Sequence, residues 1–162
     1  MELTFKTIEQ SDLHAAAAVW NEVVEEGKSF PGDKPLNDAE AWEMFCGQTQ
    51  SVCAYQNGEL VGVYILHPNN IGRCGHIANA SYAVKREYRG QGIGRKLVEH
   101  CIARAKECGF RALQFNAVVA SNTAAIALYL KLGFTVIGTI HHGYRLKDGA
   151  YCDTLIFLKT WD

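Results

Sequence analysis

Residues 88–98 read YRGQGIGRKLV, with glycines at 90, 92 and 94 between a strand-like run ending near Val84 and an amphipathic run starting near Ile93. Three glycines in five residues carry a backbone-entropy cost, tolerated where a tight turn or a close approach requires them. This unit commits the chain to strand, glycine turn and helix in succession, and asks what comes so near the turn's backbone. Beyond the glycines, Ile93, Leu97, Val98, Cys101, Ile102 and Ala105 recur at helical spacing, and Gly109 is a C-terminal stop.

The remainder supplies elements of the same kinds. Residues 3–7 alternate as a first strand. Ser11 and Asp12 are N-cap types ahead of a helix over 13–25, with Leu13, Ala16, Ala17, Trp20 and Val24 on one face. Glycine and proline mark 27–37 as a loop, and 38–45 reads as a second helix. Strands over 51–55 and 59–66 join through Asn57-Gly58, the strongest short hairpin signal present. A strand over 76–84 leads to the glycines, and 111–119 alternates after their helix. Ser121 or Asn122 caps a short helix over 123–132 that ends at Gly133, and strands over 134–140 and 154–159 follow. No linker, repeat or low-complexity stretch interrupts the chain, so residues 1–162 read as one mixed α/β domain.

Composition narrows the functional classes. A net charge of −1 gives no global field toward nucleic acid or an anionic membrane, so neither is an expected partner. No apolar run approaches the ~18 residues of a membrane span, and the first residues show no basic-then-apolar leader pattern. Cysteines at 46, 53, 74, 101, 108 and 152 are scattered without a C-x-x-C pair, which points to reduced thiols in the cytoplasm and to no metal site of that type. Cys101 and Cys108 are seven apart and read as small core residues on one helix face.

Three readings of the glycines compete. A phosphate-binding loop of the G-x-x-x-x-G-K-[ST] type needs Lys then Ser or Thr after its last glycine, and Arg95-Lys96-Leu97 breaks that order. A dinucleotide fingerprint needs G-x-G-x-x-G, but Arg95 stands where its third glycine belongs, and no acidic residue follows at ~20 positions. A pyrophosphate cradle of another design remains: helix-initial amides lack internal partners and carry the positive end of the dipole. Glycines let an anion reach those amides, and Arg89, Arg95 and Lys96 add positive charge. A glycine-rich turn with no ligand is the bland alternative.

Downstream, Asn122 precedes a short helix that carries Tyr129 seven residues on, followed by Gly133-Phe134. At this point the sequence resembles the GNAT superfamily of acetyl-CoA-dependent N-acetyltransferases. The family's pattern of Arg or Gln, two residues, Gly, one residue, then Gly or Ala is met by Arg89, Gly92 and Gly94. Its N-x6-Y-x3-GF signature is met by Asn122, Tyr129, Gly133 and Phe134.

The resemblance implies a single-domain α/β GNAT fold: a mixed, mostly antiparallel sheet flanked by helices, with splayed central strands. It implies acetyl-CoA as co-substrate, its pyrophosphate on the amides of Arg89, Gly90, Gln91, Gly92, Ile93, Gly94 and Arg95, and its pantetheine arm beside Tyr82, Ala83 and Val84. The amide of Ala83 or Val84 would polarise the thioester carbonyl. Asn122 would contact CoA, and Tyr129 would protonate the departing thiolate; outside that context Tyr129 reads as a core aromatic and Asn122 as a helix cap. The implied reaction is direct attack by a primary amine, of a small molecule or amino acid first and of a peptide or protein second; a non-catalytic acetyl-CoA sensor is the rival class. Dimers are frequent in the family, which makes a homodimer an expectation.

The general base is where the sequence departs from some relatives. Ala117 stands at the position of their strand glutamate. Glu25, Glu26, His76, His141, His142, or Asn116 or Ser81 through a water are the substitutes. Loop 27–36 and segment 141–151 are expected to bound the acceptor, with Phe30, Trp42 and Tyr144 as candidate lining residues. The stretch 20–32 also resembles small-amine and amino-acid acetyltransferases related to phosphinothricin resistance.

Overall fold

The computed structural model describes residues 2–161. From Leu60 to Leu66 every residue of β3 (Glu59–Pro68) is buried, the apolar run of a strand covered on both faces. It pairs antiparallel with β2 (Gln50–Gln56) and with β4 (Ile77–Val84). The β2–β3 turn has positive φ at both Asn57 (51°) and Gly58 (78°), as a two-residue hairpin of matching twist requires. With β1 (Thr4–Thr7), β5 (Ala112–Val119), β6 (Thr135–Arg145) and β7 (Tyr151–Thr160), the described residues form a seven-stranded sheet in the order β1-β2-β3-β4-β5-β7-β6. β4 and β5 run parallel, and the other neighbours antiparallel.

Strand alternation gives the sheet two apolar faces, and helices cover both. α1 (Leu13–Glu26) and α2 (Asp38–Cys46) bury Ala16, Ala17, Val23 and Phe45 in the cluster that holds Cys53, Val63, Ile65 and Ala83. α3 (Ile93–Glu107) packs on the opposite face, where Leu97, Val98 and Cys101 join Val61, Tyr64 and Ala80. Its approach is close at Gly62, where an added β-carbon would lie 3.0 Å from a Leu97 methyl. α4 (Thr123–Lys131) brings Ile126, Leu128 and Tyr129 to the same core beside Phe115, Phe134 and Phe157.

The parallel pair matters most for function. β4 and β5 are in register over two residue pairs, Ile77 with Ala112 and Ala78 with Leu113. Beyond them the strands part, as the family resemblance implies. β5 turns away toward β7, with its register shifted between Phe115 and Val118.

Several expectations are corrected. The last hairpin is longer than its apolar pattern suggests: β6 runs to Arg145 and β7 starts at Tyr151. A bulge between Ile140 and Tyr144 destroys the period-two signal by which a strand is recognised. The described residues also hold three 3-10 turns, at Gln10–Asp12, Gly72–Cys74 and Arg86–Tyr88, too short to leave a periodic signal in sequence. Asp12 does not cap α1 through its side chain. Its carboxylate, 3% exposed, accepts hydrogen bonds from the Glu9 amide (2.8 Å) and the Tyr55 hydroxyl, with Lys6 Nζ at 3.3 Å. Cys101 is buried, but Cys108 falls just past the end of α3 and is exposed.

Candidate active site

The gap between β4 and β5 opens toward the glycine turn, and the β-ladder decides which backbone groups face it. Asn69 N–H donates to Ile77 C=O at 2.8 Å, and Lys85 N–H donates to Val61 C=O at 2.8 Å. No register shift interrupts the ladder between these bonds. Odd-numbered residues of β4 therefore direct their backbone groups at β3, and Ala80, Tyr82 and Val84 direct theirs into the gap. Of the two amides considered for a carbonyl, Val84 faces the gap and Ala83 is committed to β3. Ala83 is 1% exposed and packs in the α1 cluster.

At the turn, Gly90 and Gly92 have φ of +79° and +81°. A β-carbon at either would meet nothing within 4 Å. The backbone conformation calls for glycine, while the space in front of the turn is open. A β-carbon at Gly94 would reach Val84 Cγ2 at 3.9 Å. Ile93, 3% exposed, pins the start of α3 into the core, and Gln91 lies exposed beside it. Lys96 N–H bonds to Gly92 C=O at 3.3 Å, so the amides of Ile93, Gly94 and Arg95 precede the first intrahelical bond and point out of the helix end. Arg95 Nε lies 3.5 Å from Glu99.

Arg89 enters differently from expectation. Its amide closes onto Arg86 C=O at 3.3 Å rather than facing outward. Its guanidinium donates to Glu26 at 2.6 Å and to Val84 C=O at 3.2 Å, and Arg86 Nε reaches Glu26 at 3.3 Å. Burial pushes the Glu26 carboxyl up, but hydrogen bonds and charge from Arg89 and Arg86 outweigh it and hold it below its ordinary value. Glu26 thus ties α1 to the turn, and a carboxylate so paired is a weak proton acceptor.

Three cavities follow one another along this line. The first, about 690 Å³, is bordered by Glu26, Arg89, Gly90 and Gly92. The second, about 370 Å³, fills the gap and is bordered by Ser81, Phe115, Asn116 and Tyr129. Ser29, Tyr82, Gly94 and Asn122 border both. The third, about 600 Å³, lies between the loop after α1 and the β6–β7 hairpin, and shares Phe30 and Pro31 with the second.

Tyr129 is both a core aromatic and a lining residue of the gap. Its ring packs against Phe115 (centroids 4.5 Å apart) and Phe157 (5.5 Å), and it lines the gap cavity. Burial drives its phenol pKa above the ordinary value, so the hydroxyl keeps its proton well into the alkaline range. Asn122 caps α4 by accepting from Ala125 N–H at 3.3 Å and borders the first two cavities.

Among the described residues, the gap cavity is lined by no carboxylate and no histidine. His76 is exposed just before β4, six residues or roughly 20 Å of extended strand from Tyr82. Glu25 borders the third cavity, with its carbonyl accepting from Lys147 Nζ at 2.9 Å. His141 and His142 are exposed on β6. Ser81 and Asn116 do border the gap. Sequence reading missed the amides around them: Asn116 Nδ2 donates to Asn69 Oδ1 at 2.6 Å, Asn79 Nδ2 to the same oxygen at 3.3 Å, and Gln114 Nε2 to Asn116 at 3.0 Å. It also missed the Tyr82 side chain, whose hydroxyl is buried beside Cys101 without an oxygen or nitrogen partner among the described residues. Alternate-residue spacing on 77–84 is the signal that singles out Tyr82.

On the acceptor side, Phe30 packs on Trp20 (4.5 Å) and its carbonyl accepts from Tyr144 Oη at 2.7 Å, which fastens the loop to β6. Both line the third cavity. Trp42, the other aromatic expected there, packs instead against the α1–α2 core.

Known proteins resemble this chain over most of its length. The model of the Acetyltransferase (GNAT) family matches residues 17–134. N-acetyltransferase aca1 of Schizosaccharomyces pombe is 31% identical over 155 residues, covering 85% of this chain and 74% of the relative. A GCN5-related N-acetyltransferase from Kribbella flavida superposes with a TM-score of 0.91 at 32% identity, covering 98% of each chain. The yncA structure from Salmonella typhimurium, solved with acetyl-CoA, shares the fold at a TM-score of 0.91 and 21% identity, over 99% of this chain and 94% of that one.

Proposed function

The chain belongs to the Acetyltransferase (GNAT) family, and we propose that it transfers an acetyl group from acetyl-CoA directly to a primary amine of a small molecule or amino acid. The observation that carries this reading is the continuity of the glycine turn with the β4–β5 gap. Open space in front of Gly90 and Gly92 leads past Gly94 and Asn122 to the inward-facing amides of Val84 and Tyr82. That shape suits a long ligand with an anionic end and a reactive carbonyl.

Bound there, acetyl-CoA would supply an activated acyl group. Amides from Gly90 to Arg95 hold its pyrophosphate with the help of the α3 dipole, while Glu26 and Arg89 keep the turn fixed to α1. The Val84 amide donates to the carbonyl oxygen as negative charge develops on it. Tyr129, which like any phenol holds its proton at neutral pH, offers that proton to the departing sulfur from its place in the gap lining. With no carboxylate or histidine among the described residues that line the gap, the amine's proton leaves through water held by Ser81, Asn79 and Asn116. The acceptor arrives past Phe30 and Tyr144, from a cavity bordered by both Asp33 and Arg145. A half-open cavity of about 600 Å³ with charges of both signs favours a compact amine as the acceptor.

The test is thiol release from acetyl-CoA across a panel of small amines, amino acids and peptide N-termini. Turnover with small amines and amino acids but not with peptides supports the reading. Turnover confined to peptides overturns the acceptor class. Acetyl-CoA binding without thiol release on any amine points to a sensor instead.

A further inference from the structure

We infer that the β6–β7 hairpin carries a surface site for a divalent first-row transition metal, formed by His141, His142 and Asp153. It is independent of the acetyl-transfer reading. One donor atom from each of the three side chains lies within 4.8 Å of the others.

The backbone assembles this cluster against the ordinary rule for strands. Ile140 pairs with Thr154 and Tyr144 with Cys152, so residues 141–143 of β6 stand opposite Asp153 alone. In a regular strand, consecutive side chains point to opposite faces. Here His142 adopts φ of +54°, and the rings of His141 and His142 stack with centroids 3.7 Å apart. The bulge therefore turns two adjacent imidazoles onto the same side, over one carboxylate. The next residue has to be glycine, because a β-carbon at Gly143 would collide with Thr154 Oγ1 and press on Ile140.

Asp153 is the fixed member. Its Oδ1 accepts from His142 N–H at 2.9 Å and lies 3.3 Å from His141 Nδ1, and its carbonyl accepts from Ala120 N–H at 2.9 Å. The histidines are the adjustable members, with the His141 side chain 80% exposed. Ligands about 2.0–2.1 Å from a tetrahedral metal are about 3.3 Å apart, so modest rotation of exposed side chains closes the set. Two imidazoles and a carboxylate suit zinc, nickel or copper rather than calcium or magnesium, and solvent completes the coordination. Gly143 and Tyr151 border the acceptor-side cavity, so the site lies at that cavity's rim.

The experiment is calorimetric titration of tag-free, chelator-treated protein with NiCl₂ at pH 7.5, on wild type and on His141→Asn, Asp153→Asn and His14→Asn. His141→Asn removes a ligand without touching a buried group, so it leaves the fold intact. His14, paired with Asp38 at 3.3 Å, is the control for an isolated His–carboxylate pair. The expected result is one Ni²⁺ per chain, with affinity reduced by about tenfold or more in His141→Asn and Asp153→Asn and unchanged in His14→Asn. No saturable binding in the wild type, or equal affinity in all four proteins, overturns the site.

Discussion

Substituting Gly92 with Asn separates the two reasons a glycine can be needed at the turn. Gly92 has φ of +81°, and a β-carbon there would touch nothing within 4 Å. The fold's demand is conformational only. A left-handed backbone costs an L-residue about 1–2 kcal/mol, and Asn, which visits that region routinely, sits at or below the lower end. For a chain of this size a loss of up to about 1 kcal/mol lowers Tm by no more than about 4 °C. The ligand's demand is spatial, since the Asn side chain would enter the cavity in front of the turn. Displacing one phosphate from one amide removes a charge-assisted hydrogen bond of about 1.5–3 kcal/mol, a roughly 10- to 100-fold weaker Kd. Calorimetry with acetyl-CoA and a thermal melt read both quantities on one preparation. Near-wild-type stability with a large loss of affinity is the expected outcome. Wild-type affinity in Gly92→Asn would show that the glycines serve the turn alone.

Three further outcomes follow from the same geometry. Tyr129→Phe lowers kcat by about 10²–10⁴-fold with acetyl-CoA Kd unchanged, and wild-type kcat in that variant would leave Tyr129 as packing only; because burial raises its pKa, wild-type kcat shows no alkaline loss from Tyr129 up to about pH 10. Tyr55→Phe destabilises the fold by about 1.5–3 kcal/mol at pH 7 by taking a donor from buried Asp12. Burial pushes the Asp12 carboxyl up, but the hydrogen bonds from Tyr55, the Glu9 amide and Lys6 bring it below its ordinary value. That stabilisation is present above about pH 4 and is lost as pH falls through the lowered pKa, so urea midpoints of wild type and Tyr55→Phe converge in acid. Gly62→Ala costs about 1–3 kcal/mol by overpacking, since its β-carbon would sit 3.0 Å from Leu97 Cδ1 and 3.3 Å from Ala83 O; an unchanged Tm would contradict the tight α3–sheet contact.

The parts of the site legible in sequence were those set by local chemistry. Glycines at 90 and 92 announced a turn only glycine adopts comfortably, and the separation of Asn122, Tyr129 and Gly133 along α4 is a matter of helical spacing. What sequence hid depends on register or on contacts far along the chain. Whether Ala83 or Val84 offers its amide is fixed by how β4 lies on β3, and a one-residue slip would exchange them. Glu26 and Arg89 are 63 residues apart, so nothing local showed that this carboxylate was already committed to arginine. The lower half of the last hairpin escaped because the bulge at 141–143 erases the alternation that marks a strand.

The central claim is that the open space before the glycine turn holds the pyrophosphate end of a CoA thioester. Calorimetric titration of the wild-type protein with acetyl-CoA, repeated in the presence of excess CoA, ATP or NAD, tests it most directly. The expected result is one saturable site per chain for which CoA competes and ATP and NAD do not. No binding of acetyl-CoA, or equal competition by all three, would contradict it.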